Sequence, residues 1–159
     1  MSEPQHPRHA PPPRPALAEE LRIAVARLSR RLRSVSAAAG PAGPDEAPRP
    51  TLSQFSVLAV LDRHHAMTPR ELADHEKVQP PSMTRVIAAL EEQDLVARTP
   101  HPTDGRQVVL RLTERGAALL AEERRRKEAW LSQRLRELSP EERAILRRAA
   151  PILDKLSKS

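Results

Sequence analysis

The chain contains no cysteine, which excludes disulfides, thiolate zinc sites and thiol-based redox sensing together. No apolar run approaches the ~18 residues of a membrane span. The Pro- and His-rich N-terminal residues hold no apolar h-region, so neither secretion nor membrane insertion is expected and the cytoplasm is the expected compartment. A Gly-rich phosphate loop, a G-x-S-x-G elbow and a paired-carboxylate site are also missing, so no enzymatic activity and no cofactor is expected. Lysine is scarce: Lys77, Lys127, Lys155 and Lys158 are the only four among 27 cationic side chains. Arginine, whose planar fork suits phosphate and guanine edges, therefore dominates the basic surface. Codon usage in a GC-rich genome accounts for the same excess equally well.

What is present suits one small module with helical extensions. The 159 residues carry 27 Lys+Arg against 21 Asp+Glu, a formal charge of +6 that favours partners bearing phosphate. Residues 1–15 hold six of the 17 prolines and few large apolar side chains, a composition that predicts a disordered arm. Over 16–36, Leu17, Leu21, Ala24, Leu28, Leu32 and Val35 recur at helical spacing. The stretch 37–50, with Gly40, Gly43 and four prolines, stops that helix and predicts a loop.

Three capping boxes then mark helix starts at Thr51 with Gln54, Thr68 with Glu71, and Ser139 with Glu142. The first opens a helix to about Arg63 whose buried face carries Phe55, Leu58 and Leu61, with Val57 and Val60 beside it. The second opens a short helix ending near Val78. Pro80-Pro81 cannot continue that helix but can open another, in which Met83, Val86, Ile87 and Leu90 form one apolar stripe. A short helix, a tight turn and a second helix make a helix-turn-helix. The β-compatible runs 95–99 and 107–112 flank a loop containing Pro100, Pro102, Asp104 and Gly105, as in a wing hairpin. Thr113 caps the next helix, and the last follows Ser139. The expected fold is mainly α with a small β-hairpin wing: a winged helix-turn-helix over 51–113, flanked by a dimerisation helix over 16–36 and dimerisation helices over 114–157.

On the helix after Pro81, Met83, Ile87 and Leu90 point to the core while Ser82, Arg85 and Ala89 point away, flanked by Thr84 and Ala88. This narrow outer face, polar at its start and small afterwards, suits insertion into a major groove. A solvated helix surface has the same look when taken alone. The order of elements decides more. Residues 81–92 (PSMTRVIAALEE), the strand Leu95-Val-Ala-Arg98, Asp104-Gly-Arg106 and Leu110-Arg-Leu-Thr-Glu-Arg-Gly116 together resemble the bacterial MarR family of transcriptional regulators. The resemblance implies a recognition helix using Gln79, Pro81, Ser82, Thr84 and Arg85, and a wing using Thr103, Asp104 and Arg106. In it Arg106 enters a minor groove, its guanidinium braced by the Asp104 carboxylate. Asp94 stands where the family commonly has glycine; aspartate tolerates the left-handed conformation better than most residues.

The terminal helices carry more apolar surface than the small lobe can cover. The resemblance implies a homodimer in which Leu17, Leu21, Leu28, Trp130, Leu138, Leu146 and Leu153 meet a second copy and double-stranded DNA is bound at pseudo-palindromic sites. It further implies a ligand-responsive repressor with a small aromatic effector; a winged-helix protein-protein adapter is the alternative function. His64, His65 and His75 are not expected to form a metal site, because adjacent helical histidines diverge by about 100°. The Arg124-Arg-Arg126 run reads as a solvated helix face.

Overall fold

Hydroxyl side chains begin four of the helices. The Thr51 hydroxyl accepts from the Gln54 amide at 3.3 Å while Gln54 Oε1 accepts from the Thr51 amide at 2.6 Å. The same reciprocal pair forms between Thr68 and Glu71, at 3.2 and 2.7 Å, and between Ser139 and Glu142, at 3.2 and 2.8 Å. Thr113 accepts from the Gly116 amide at 3.0 Å. Each pair satisfies backbone donors that the first helical turn otherwise leaves open.

The computed structural model describes residues 16–37 and 48–157, so the expected arm over 1–15 and most of the loop expected over 37–50 lie outside the described residues. The elements are α1 (Leu17–Ala37), α2 (Leu52–His64), α3 (Pro69–Glu76), α4 (Pro80–Glu92), β1 (Val96–Pro100), β2 (Val108–Leu112), α5 (Glu114–Arg136) and α6 (Pro140–Ser157). β1 and β2 pair antiparallel from Val96 opposite Leu112 to Pro100 opposite Val108. Met67 adds a bridge to the outer edge of β2, its amide donating to the Leu110 carbonyl at 3.2 Å and its carbonyl accepting from the Leu110 amide at 2.8 Å. The fold is a winged helix-turn-helix with long helices on either side.

α3 and α4 end in the same way, and neither uses glycine. After α3, the Val78 amide reaches back to the Ala73 carbonyl and the Lys77 amide to that of Asp74, with Lys77 at φ 54°. After α4, the Leu95 amide donates to the Leu90 carbonyl and the Asp94 amide to that of Glu91, with Asp94 at φ 55°. Both are Schellman closures, in which one left-handed residue lets two amides cap the last turn. Asp94 thus does what its position in the family pattern requires. Lys77 ends α3 at Glu76, slightly before the expected Val78.

The core lies wholly in the winged-helix lobe and α5. Val57, Leu58, Val60 and Leu61 of α2, Leu72 and Ala73 of α3, and Met83, Ile87 and Leu90 of α4 meet Leu95, Val96, Leu110 and Leu120. Each large side chain so buried contributes about 1.5 to 3 kcal/mol. Phe55, expected among them, is only half-buried, while Gln54 is buried through its capping role. α1 packs along α5 and supplies no buried side chain among its described residues. α6 has none either, and Pro151 sits inside its unbroken span.

Candidate nucleic-acid interface

α4 presents the two faces its spacing requires. Met83, Ile87 and Leu90 are buried, Ser82, Thr84, Arg85 and Ala88 are exposed, and Ala89 is half-buried. Gln79 is the N-cap residue and lends no side-chain hydrogen bond to the helix, so its amide is left facing solvent beside Pro81. Thr84 differs: its hydroxyl donates to the Pro80 carbonyl at 3.0 Å, which consumes its proton within the helix and leaves only lone pairs to offer.

The wing tip is a closed hydrogen-bonded loop. The His101 amide donates to the Gln107 carbonyl, and the Gln107 amide to that of Asp104, both at 3.0 Å. Asp104 Oδ1 accepts from the Arg106 amide at 3.1 Å and Oδ2 from Gln107 Nε2 at 3.0 Å. Asp104 therefore braces the backbone of Arg106 rather than its guanidinium, which corrects the expected carboxylate-guanidinium bracing. An aspartate side chain readily bonds the backbone amide two residues on, and that is the pairing the folded tip selects. Arg106 is exposed, as is Thr103, and Asp104 is half-buried.

Side chains absent from the expected site tie the wing to its surroundings. Glu91, near the end of α4, accepts from Arg98 of β1 through both oxygens, at 2.6 and 3.1 Å. This bidentate grip holds the Arg98 guanidinium above its ordinary pKa, the Glu91 hydrogen bonds being the main cause. His101 Nδ1 lies within 3.3 Å of the Thr103 amide and 3.2 Å of the Asp104 amide. Nothing in the local sequence pattern signals either arrangement, since both depend on how the hairpin folds over.

On α5, Arg124 reaches across to α2, donating to Asp62 at 2.7 Å. Glu123 is 2% exposed and lies 2.9 Å from Lys127, with Arg126 at 3.7 Å. Arg124 and Arg125 are exposed and Arg126 is half-buried, so the run 124–126 is largely the solvated face expected, with Arg124 tied to α2. Of the expected dimer residues, Leu17, Leu21, Leu28, Leu146 and Leu153 are exposed in the single chain. Trp130 and Leu138 are half-buried, and Arg134 lies over the Trp130 ring at 5.8 Å. His64 and His75 meet edge to face, 5.5 Å between ring centres, and His65, which caps α2, adopts φ 65°. Among the described residues no group of three His, Asp or Glu side chains is placed to hold a metal, and no helix is long and apolar enough to cross a membrane.

Residues 51–108, from the cap of α2 to the start of β2, match the model of the MarR family. An HTH-type transcriptional regulator of Mycobacterium tuberculosis is 47% identical over 137 residues, covering 86% of this chain and 90% of that protein. The chain belongs to the MarR family. More distant proteins agree with that placement. The HTH-type transcriptional repressor MdtR of Bacillus subtilis is 32% identical over 109 residues, 69% of this chain and 68% of that one. The apo crystal structure of wild-type MarR from E. coli superposes with a TM-score of 0.66 at 26% identity, covering 91% of this chain and 98% of that one. As a MarR-family transcriptional regulator, the chain has its family match centred on the lobe that holds α4 and the wing.

Proposed function

We propose that this regulator is a ligand-responsive repressor that binds pseudo-palindromic operator DNA as a homodimer. The observation that carries the reading is the division of α4: its apolar stripe is buried while Ser82, Thr84 and Arg85 stand outward near the helix N-terminus. Amides and hydroxyls there suit phosphates and base edges, and the small Ala88 and Ala89 permit close approach to a groove wall. Gln79, Pro81, Ser82, Thr84 and Arg85 form the recognition surface, and Thr103, Asp104 and Arg106 the wing. Repression is supported by the character of the relative MdtR, a transcriptional repressor. The effector is a small aromatic molecule, as in the wider family.

Dimerisation is supported by apolar side chains the single chain leaves open. Ile145, Leu146, Ile152, Leu153 and Leu156 of α6 and Leu17, Leu21, Val25 and Leu28 of α1 are exposed. Two copies joined through these helices, with Trp130 and Leu138 at the margin, would set two recognition helices about one DNA turn apart.

The test is selection of bound fragments from genomic DNA at several salt concentrations, followed by affinity for the best fragment against a random duplex. A specific fragment bound much more tightly than random DNA supports the reading. If no fragment exceeds random duplex even at low salt and without effector, the DNA-regulator reading fails and the adapter alternative takes its place.

A further inference from the structure

His101 stands at the base of the wing tip, and two backbone amides and a hydroxyl converge on one of its ring nitrogens. Nδ1 lies 3.3 Å from the Thr103 amide, 3.2 Å from the Asp104 amide and 3.2 Å from the Thr103 hydroxyl. An amide N–H can only donate, so Nδ1 must carry a lone pair and the ring proton must sit on Nε2.

This contact is the first link in a short chain to Arg106. The Asp104 amide held by the ring belongs to the residue whose carboxylate accepts from the Arg106 amide at 3.1 Å and from Gln107 Nε2 at 3.0 Å. We propose that His101 is the positioning residue of the wing: its unprotonated Nδ1 folds the tip so that Arg106 is presented, and protonation of the ring releases the tip and weakens DNA binding. The claim on DNA rests on the proposed role of Arg106.

Protonation converts Nδ1 from acceptor to donor and sets an N–H against two other N–H groups. Imidazole is the side chain whose charge ordinarily changes between about pH 5 and 8. The charged group acting on the ring from another element is Glu71, in the first turn of α3; Asp104 lies on the ring's own loop, with its carboxylate held by the Arg106 amide and Gln107 Nε2. The Thr68 amide and hydroxyl hold the Glu71 carboxyl below the usual carboxylate range, so Glu71 remains an anion throughout the imidazole window.

The experiment measures affinity for a duplex enriched from random-sequence DNA by the wild-type protein at about pH 8. Wild type, His101→Asn, His101→Ala and Arg106→Ala are compared there and near pH 5.5. Asparagine offers an acceptor oxygen at similar reach and does not titrate. Wild type should lose about five- to tenfold more affinity on acidification than His101→Asn does, because only its tip is unlocked by the proton. His101→Ala should be weak at both ends. Nitrogen NMR of the ring should show an unprotonated Nδ1 at the higher pH, with the Thr103 and Asp104 amide signals following the ring titration. If wild type and His101→Asn share one pH profile while Arg106→Ala weakens binding, the inference on His101 is overturned and the wing reading stands. If Arg106→Ala is silent, the wing reading fails and takes the DNA claim with it. A proton found on Nδ1 at the higher pH overturns the positioning role directly.

Discussion

Gly116, in the first turn of α5, lies against the backbone carbonyl of Leu95, the residue that closes α4. A Cβ at position 116 would overlap the Leu95 oxygen and press on its carbonyl carbon and Cα. The Thr113 amide donates to that same Leu95 carbonyl at 3.2 Å, and the Thr113 hydroxyl to the Asp94 carbonyl at 2.6 Å. The end of α4 and the start of α5 are thus joined backbone to backbone, with the β1–β2 hairpin between them.

Gly116→Ala should therefore destabilise the lobe even though alanine is the better helix former. Backbone must shift to admit the methyl group, and overpacking of this kind costs about 1 to 3 kcal/mol. Thermal or denaturant unfolding measures it. A variant as stable as wild type would mean that α5 and the turn after α4 separate more easily than this contact implies.

The cap of α3 makes a pH-dependent contribution. Thr68 hydrogen bonds, with the backbone amide first, lower the Glu71 carboxyl pKa in the folded chain. A folded pKa below the unfolded one gives stability that is full above the carboxylate range and lost as pH falls through it. The stability gap between wild type and Glu71→Ala should be widest at neutral pH and close on acidification. Thr68→Ala should cost about 1 kcal/mol at neutral pH. A gap that widens toward acid would contradict this assignment.

Arg85 and Arg106 should fail differently. Arg106→Ala should weaken binding to chosen and random duplexes alike, with the salt dependence shallower by about one phosphate per protomer. Arg85→Ala should cost about 1 to 3 kcal/mol on the chosen site and little on random DNA, compressing the specificity ratio. Specific binding by wild type with both substitutions silent would remove these two residues from the interface.

At micromolar concentration, sedimentation should give about twice 17.8 kDa. Leu153→Glu, on the exposed apolar side of α6, should shift the protein toward the single-chain mass while leaving the lobe's core untouched. A compact wild-type monomer would overturn the dimer.

The sequence by itself determined where the helices start, which stripe of α4 is buried and that a hairpin follows it. These features are local: a Thr and a Gln three residues apart need only one helical turn to meet, and Met83, Ile87 and Leu90 share a face by helical geometry alone. The aspartate turn at Asp104 is local too, yet its outcome at Arg106 was not legible, because a carboxylate can reach the backbone amide or the guanidinium and only the folded tip selects the amide. Pairings between distant residues were decided by the tertiary structure. Asp62 meets Arg124 across 62 positions, Glu91 grips Arg98 only once the hairpin has folded back toward α4, and the Leu95 carbonyl reaches Gly116 only when β1 and β2 are paired. His101 belongs with them. Its ring became an acceptor for two amides because the loop from Pro100 to Val108 closes on itself, and no spacing rule assigns a lone pair to one ring nitrogen.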